Sequence, residues 1–76
     1  MSTCRLDHSL EDVMNKLTDQ KNYLPTDIHN QMAQFLSLSP SQTKLNELFH
    51  VLKKYDLATD ADRIERNQRA LIIITE

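Results

Sequence analysis

Apolar positions recur at helical spacing in four stretches of this chain, each preceded by residues that start helices. In the first, Ser9 stands ahead of Glu11 and Asp12, and Leu10, Val13, Met14 and Leu17 follow at i, i+3, i+4 and i+7. A serine hydroxyl satisfies an otherwise unpaired backbone N–H at a helix start, and carboxylates suit the positive end of the helix dipole. Asn22 and Pro25 close that stretch. Thr26, read as a cap, opens a second face of Ile28, Met32, Phe35 and Leu36, with Ala33 small enough for close approach. Ser39-Pro40-Ser41-Gln42 reads as a capping box with proline at the first helical position, where its missing N–H costs nothing. Leu45, Leu48, Phe49, Leu52 and Tyr55 follow as one stripe, with Lys53 and Lys54 near its negative end. Thr59-Asp60-Ala61-Asp62 forms a second capping box and opens the last segment.

That last segment carries two signals. Ile64, Leu71 and Ile72 continue a helical face, but Asn67 and Gln68 fall where the face should be apolar. Leu71-Ile72-Ile73-Ile74 cannot all face one core, because helical residues turn by about 100° each. β-branched residues also favour strands, yet no second strand is present for pairing. Helix is therefore expected, with an extended end over 70–75 as the alternative. The pattern predicts an all-α fold, a compact bundle of three to four short helices over 9–23, 26–37, 40–56 and 60–74. Residues 1–76 are read as one small domain, with 1–8 a flexible N-terminal arm.

Composition narrows this picture. A chain of 76 residues sits near the lower limit for an independent core, so burying further surface against a partner would stabilise it appreciably. The chain contains no glycine, which disfavours left-handed caps and hairpin turns and excludes Gly-rich phosphate loops. A net charge of −2 creates no general attraction to nucleic acid or anionic lipid. One cysteine, Cys4, cannot make an internal disulfide, and the N-terminus has no apolar run of signal-peptide length. The apolar run from Ala70 to Ile74 is too short to span a bilayer. Cytoplasm is the expected compartment, with no membrane partner.

Candidate chemistry is sparse. His8, His29 and His50 lie on separate segments with no paired spacing, so no metal site is expected. Cys4 with a distant histidine is the one conceivable nucleophile pair, and it lies in an uncapped terminal stretch. Acidic pairs such as Glu11/Asp12 and Asp60/Asp62 are accounted for by helix N-termini. A chain this short is also expected to have difficulty enclosing a ligand cleft of roughly 300 Å3 or more. No catalytic residue, cofactor or small-molecule substrate is expected, and the chain is read as not an enzyme.

One local pattern points elsewhere. The stretch from Met32 to Leu45, with Ala33 in a first helix, Leu38 in a turn and Ser39-Pro40-Ser41 opening a second helix, resembles the helix-turn-helix of bacterial DNA-binding regulators. The likeness covers about twenty residues, and it departs from the pattern at Ser37, Thr43 and Asn46. It implies a transcriptional regulator using residues 28–55, with Ser41, Gln42 and Lys44 facing the major groove. The recognition face is poor in the cations that supply most non-specific DNA affinity, which leaves nucleic acid as the disfavoured partner.

Surplus aliphatic surface gives the leading functional reading. Val51 lies about 120° from the main stripe of its helix, and at least one of Ile72, Ile73 and Ile74 must point away from the core. Clustered exposed aliphatics mark association surfaces more often than catalytic ones. Arg63, Arg66 and Arg69, spaced i, i+3 and i+6, would supply electrostatic selectivity at the rim. The expected function is a small non-enzymatic protein–protein interaction module, a regulator or adaptor that binds a larger partner or itself. Val51, Arg63, Arg66, Arg69, Ile72, Ile73 and Ile74 are the candidate partner-binding residues, and Ile73→Asp is the expected means of breaking a homodimer.

Overall fold

The computed structural model describes residues 7–75, and every regular element among them is helical. Cys4 and the remainder of the predicted arm, residues 1–6, lie outside the described residues. Helix α1 spans Leu10–Asp19, α2 spans Thr26–Leu36, α3 spans Gln42–Leu52 and α4 spans Asp60–Thr75, with a single 3-10 turn at Tyr55–Leu57 before α4. The segment of consecutive aliphatics is helix to its end. Its branched side chains are shared between the core and the surface rather than paired in a sheet.

Two of the predicted caps form as expected. The Ser9 hydroxyl accepts from the Asp12 N–H at 3.1 Å, and the Thr59 hydroxyl accepts from the Asp62 N–H at 3.2 Å. The other two are corrected. Pro25, not Thr26, occupies the cap position of α2, and no side chain bonds to that helix start. At α3 the cap is Ser41, whose hydroxyl accepts from the Lys44 N–H at 3.3 Å. Pro40 therefore lies outside the helix, and Ser39 takes a left-handed backbone with φ of 55°.

Both long helices predicted around these caps are shorter than their apolar stripes suggest. α1 stops at Asp19 because Gln20 turns inward, where it is buried and its Nε2 donates to Asp56 Oδ1 at 3.0 Å. α3 stops at Leu52 because Lys54 adopts φ 59° and ψ 25°, which redirects the chain into the 3-10 turn. A left-handed conformation costs a side-chain-bearing residue roughly 1–2 kcal/mol. The expectation that a chain without glycine avoids such positions is thus overturned at Ser39 and Lys54. The contacts that follow Lys54 offset the cost.

Those contacts come from α4. Tyr55 is buried and its hydroxyl donates to Asn67 Oδ1 at 2.7 Å. Arg63 donates to the Tyr55 and Asp56 carbonyls at 3.2 and 2.9 Å, with its guanidinium lying near the rings of Tyr23 and Tyr55. Arg66 donates from one nitrogen to the Val51 and Lys53 carbonyls at 2.9 and 2.8 Å, and pairs with Asp62 at 3.3 Å. The terminal carbonyls of a helix have no partners within it, so Arg66 closes the end of α3 from the side. Arg66→Ala is expected to lower unfolding free energy by about 1–3 kcal/mol, since it leaves carbonyl acceptors short of a donor. Urea denaturation measures this, and an unchanged midpoint would remove the capping role.

The helices pack in a closed square in which α1 touches α2 and α3, and α4 touches α2 and α3. Helices α3 and α4 run antiparallel: Lys44 at the start of α3 donates to the Ile73 carbonyl, and Arg66 reaches the end of α3. Val13, Leu17, Leu24, Ile28, Met32, Leu36, Leu45, Leu48, Val51, Leu52, Tyr55, Ala70 and Ile73 form the buried core. Met14, predicted in the first apolar stripe, is instead 47% exposed at the flank of α1.

Candidate interaction surface

Burial of Ala70 and Ile73 sets the orientation of α4, because both point to the core between α2 and α3. The opposite face carries Ala61, Ile64, Glu65, Gln68, Arg69, Ile72 and Thr75, which are exposed or partly exposed. Ile64 and Ile72 are 59% and 55% exposed, and they lie eight residues apart on one side of the helix. Met14, Tyr23, Leu38 and Leu57 are also exposed, but each stands on a different element. Ile64 and Ile72 alone among these large exposed side chains share a helix face.

Beside that face, α3 and α4 enclose an open groove of about 850 Å3. Its floor is Val51 and Ile73, and its walls carry Glu47, His50, Glu65 and Arg69. The expectation that so short a chain would not form a cleft of ligand-pocket volume is therefore corrected. The side chains along the outer edge of the α3–α4 pair suffice to wall it.

The structure separates the predicted partner-binding residues into two groups. Ile72 and Arg69 are exposed on α4, where an association surface needs them. Val51 is 5% exposed and Ile73 is 4% exposed, so the two cannot lead an interface. Val51 is covered because α4 lies against that side of α3, a packing direction that periodicity within α3 does not reveal. Ile74 is half-buried against the core. Arg63 and Arg66 serve the carbonyls of the 3-10 turn and of α3 instead of a rim. Glu65, Gln68 and Ile64 were missed. Their signal was the i, i+4, i+8 spacing of Ile64, Gln68 and Ile72.

The residues assigned to DNA reading are engaged within the chain. Ser41 caps α3, and Gln42 Nε2 donates to the His8 carbonyl at 2.7 Å and to Asn46 Oδ1 at 3.0 Å. Lys44 donates to the Ile73 carbonyl at 2.9 Å and lies over the Phe35 ring. Asp7 and His8, expected in the flexible arm, lie against the start of α3. The His8 N–H donates to Asn46 Oδ1, and its ring stacks on Phe49 with centroids 3.6 Å apart. His50 meets the His8 ring edge-on at 6.1 Å, while His29 bonds its own neighbour Asn30. Among the described residues no three metal-binding side chains converge, and no helix is long and apolar enough to cross a membrane. Comparison with family models, with curated proteins and with solved structures finds no match to this chain.

Proposed function

We propose that this chain is a small non-enzymatic helical interaction module of the cytoplasm, a regulator or adaptor that binds protein through the outer face of α4. The observation that carries the reading is the pair of isoleucines, Ile64 and Ile72, 59% and 55% exposed on one face. Interfaces join an apolar centre to a polar, charged rim, and Glu65 and Arg69 flank these isoleucines. Covering the exposed half of each isoleucine contributes roughly 1 kcal/mol. So small a centre supports weak, exchanging association rather than a permanent complex.

The test is capture of a tagged copy from native, nuclease-treated lysate that also contains the untagged chain. The wild-type chain is expected to retain a stoichiometric protein partner, and Ile64→Asp/Ile72→Asp is expected to lose it with unchanged circular dichroism. Retention by the double variant, or loss of the partner from the wild type on nuclease treatment, overturns the assignment.

A further inference from the structure

The exposed face of α4 is arranged symmetrically about Gln68, which makes it compatible with a second copy of itself. Ile64 and Ile72 lie four residues before and after Gln68, as Ala61 and Thr75 lie seven before and after it. At about 1.5 Å per residue the two isoleucines stand roughly 6 Å either side of Gln68 along the axis. At about 100° per residue they also stand roughly 40° to either side of its direction. A two-fold axis through Gln68 therefore brings Ile64 of one helix level with Ile72 of an antiparallel copy, and Ile72 level with Ile64. The apolar pair is its own complement.

The charges obey the same operation. Glu65 and Arg69 both lie on the flank of α4 that faces the groove. The two-fold axis keeps that flank common to both copies and places Glu65 within about 3 Å, along the axis, of Arg69 from the other chain. Glu65 and Arg69 are four apart on one helix, a spacing that favours pairing within the chain. They do not pair there: among the described residues the one ion pair is Arg66–Asp62. Both groups are exposed and available to a second molecule. A parallel two-fold arrangement would instead put the two Glu65–Arg69 flanks on opposite sides of the interface, where they could not pair.

We infer that the partner of this face is a second copy of the chain, joined through α4 in an antiparallel, two-fold dimer. Isologous contacts of this kind are the commonest route to soluble oligomers. The inference rests on α4 being an association surface and adds which molecule covers it. One helix face is smaller than a standard interface, so the dimer exchanges with monomer at micromolar and higher chain concentrations.

Sedimentation equilibrium up to ~1 mM chain tests the inference. The wild type is expected to show a monomer–dimer equilibrium. Glu65→Arg and Arg69→Glu are each expected to weaken it at least about tenfold, because two like-charge contacts replace two opposite ones. Glu65→Arg/Arg69→Glu, with the net charge of the wild type, is expected to restore it. In a Cys4→Ser background, Gln68→Cys is expected to cross-link on mild oxidation and Ala61→Cys is not, because the axis passes through 68 and separates the two 61 positions. A monomer throughout the range, cross-linking at 61, or a double swap no tighter than either single one overturns the dimer. A monomeric chain that still loses a captured protein on Ile64→Asp/Ile72→Asp leaves the association surface standing with another occupant. Loss of both results removes the surface as well.

Discussion

Ile73→Asp is expected to unfold the domain at room temperature, whereas Ile72→Asp, one residue earlier, is expected to leave it folded. Ile73 is 4% exposed in the core between α3 and α4, while Ile72 is 55% exposed on the outer face of α4. An aspartate at 73 would either hold an unpaired charge in an apolar setting or take up a proton, and it would forfeit the packing of an isoleucine. Such changes cost several kcal/mol, and a small domain has an unfolding free energy near the low end of about 5–15 kcal/mol. At position 72 the carboxylate stays hydrated, and surface substitutions of this kind lie within about 0.5 kcal/mol. Circular dichroism at 222 nm distinguishes the two: retained helicity in the Ile73 variant would show that this turn of α4 does not pack as described. The contrast also decides how association is to be probed. A dimer lost in Ile73→Asp reports unfolding, so the substitution suggested by the apolar run alone is the wrong one.

Tyr55→Ala is expected to lower the unfolding free energy by about 3–5 kcal/mol, the range for deleting a buried aromatic ring. Tyr55 is 1% exposed and is the largest side chain in the core. Its ring packs beside Arg63, its hydroxyl bonds Asn67, and its carbonyl receives Arg63, so one residue joins the 3-10 turn to two turns of α4. Tyr55→Phe keeps the ring and removes one hydrogen bond, leaving Asn67 Oδ1 without its donor, which costs about 1–2 kcal/mol. Urea denaturation of the two variants separates the contributions. Equal losses would mean that the hydroxyl bond, and not the ring, secures the turn.

Much of the core is legible in the spacing of apolar residues alone. Ile28, Met32, Leu36, Leu45, Leu48 and Leu52 are placed by helical periodicity, and all are buried. Ser9 and Thr59 are recognisable as caps because a capping hydroxyl acts on a backbone N–H only three residues away. The misplaced boundaries have another origin. α1 ends where Gln20 finds Asp56, 36 residues along the chain, and α3 ends where Arg66 and the Tyr55 ring secure a left-handed Lys54. A local signal cannot report a partner that arrives from another helix.

The candidate surface is half legible for the same reason. That one of Ile72, Ile73 and Ile74 must face outward follows from the angle between successive helical residues, and Ile72 is the one that does. Arg69 stands at the surface as expected, but Arg63 and Arg66, identical to it in local chemistry, are drawn onto backbone carbonyls at the end of α3 and in the 3-10 turn. Asn67 and Gln68 both look like polar errors in an apolar stripe. Asn67 accepts the Tyr55 hydroxyl inside, while Gln68 marks the centre of the outer face.

By itself, then, the sequence determined the all-α class, a bundle of three to four helices and where most of them start, and which residues supply most of the core, while it left the end of the last helix open to an extended alternative. Those properties depend on periodicity and on hydrogen bonds spanning three or four residues, which neighbouring positions are sufficient to specify. The tertiary structure decided which way α4 is rotated, which arginines are spent on carbonyls, and which isoleucines remain at the surface. Those choices depend on how α4 settles between α2 and α3, and that is a balance of buried area and backbone satisfaction over the whole domain.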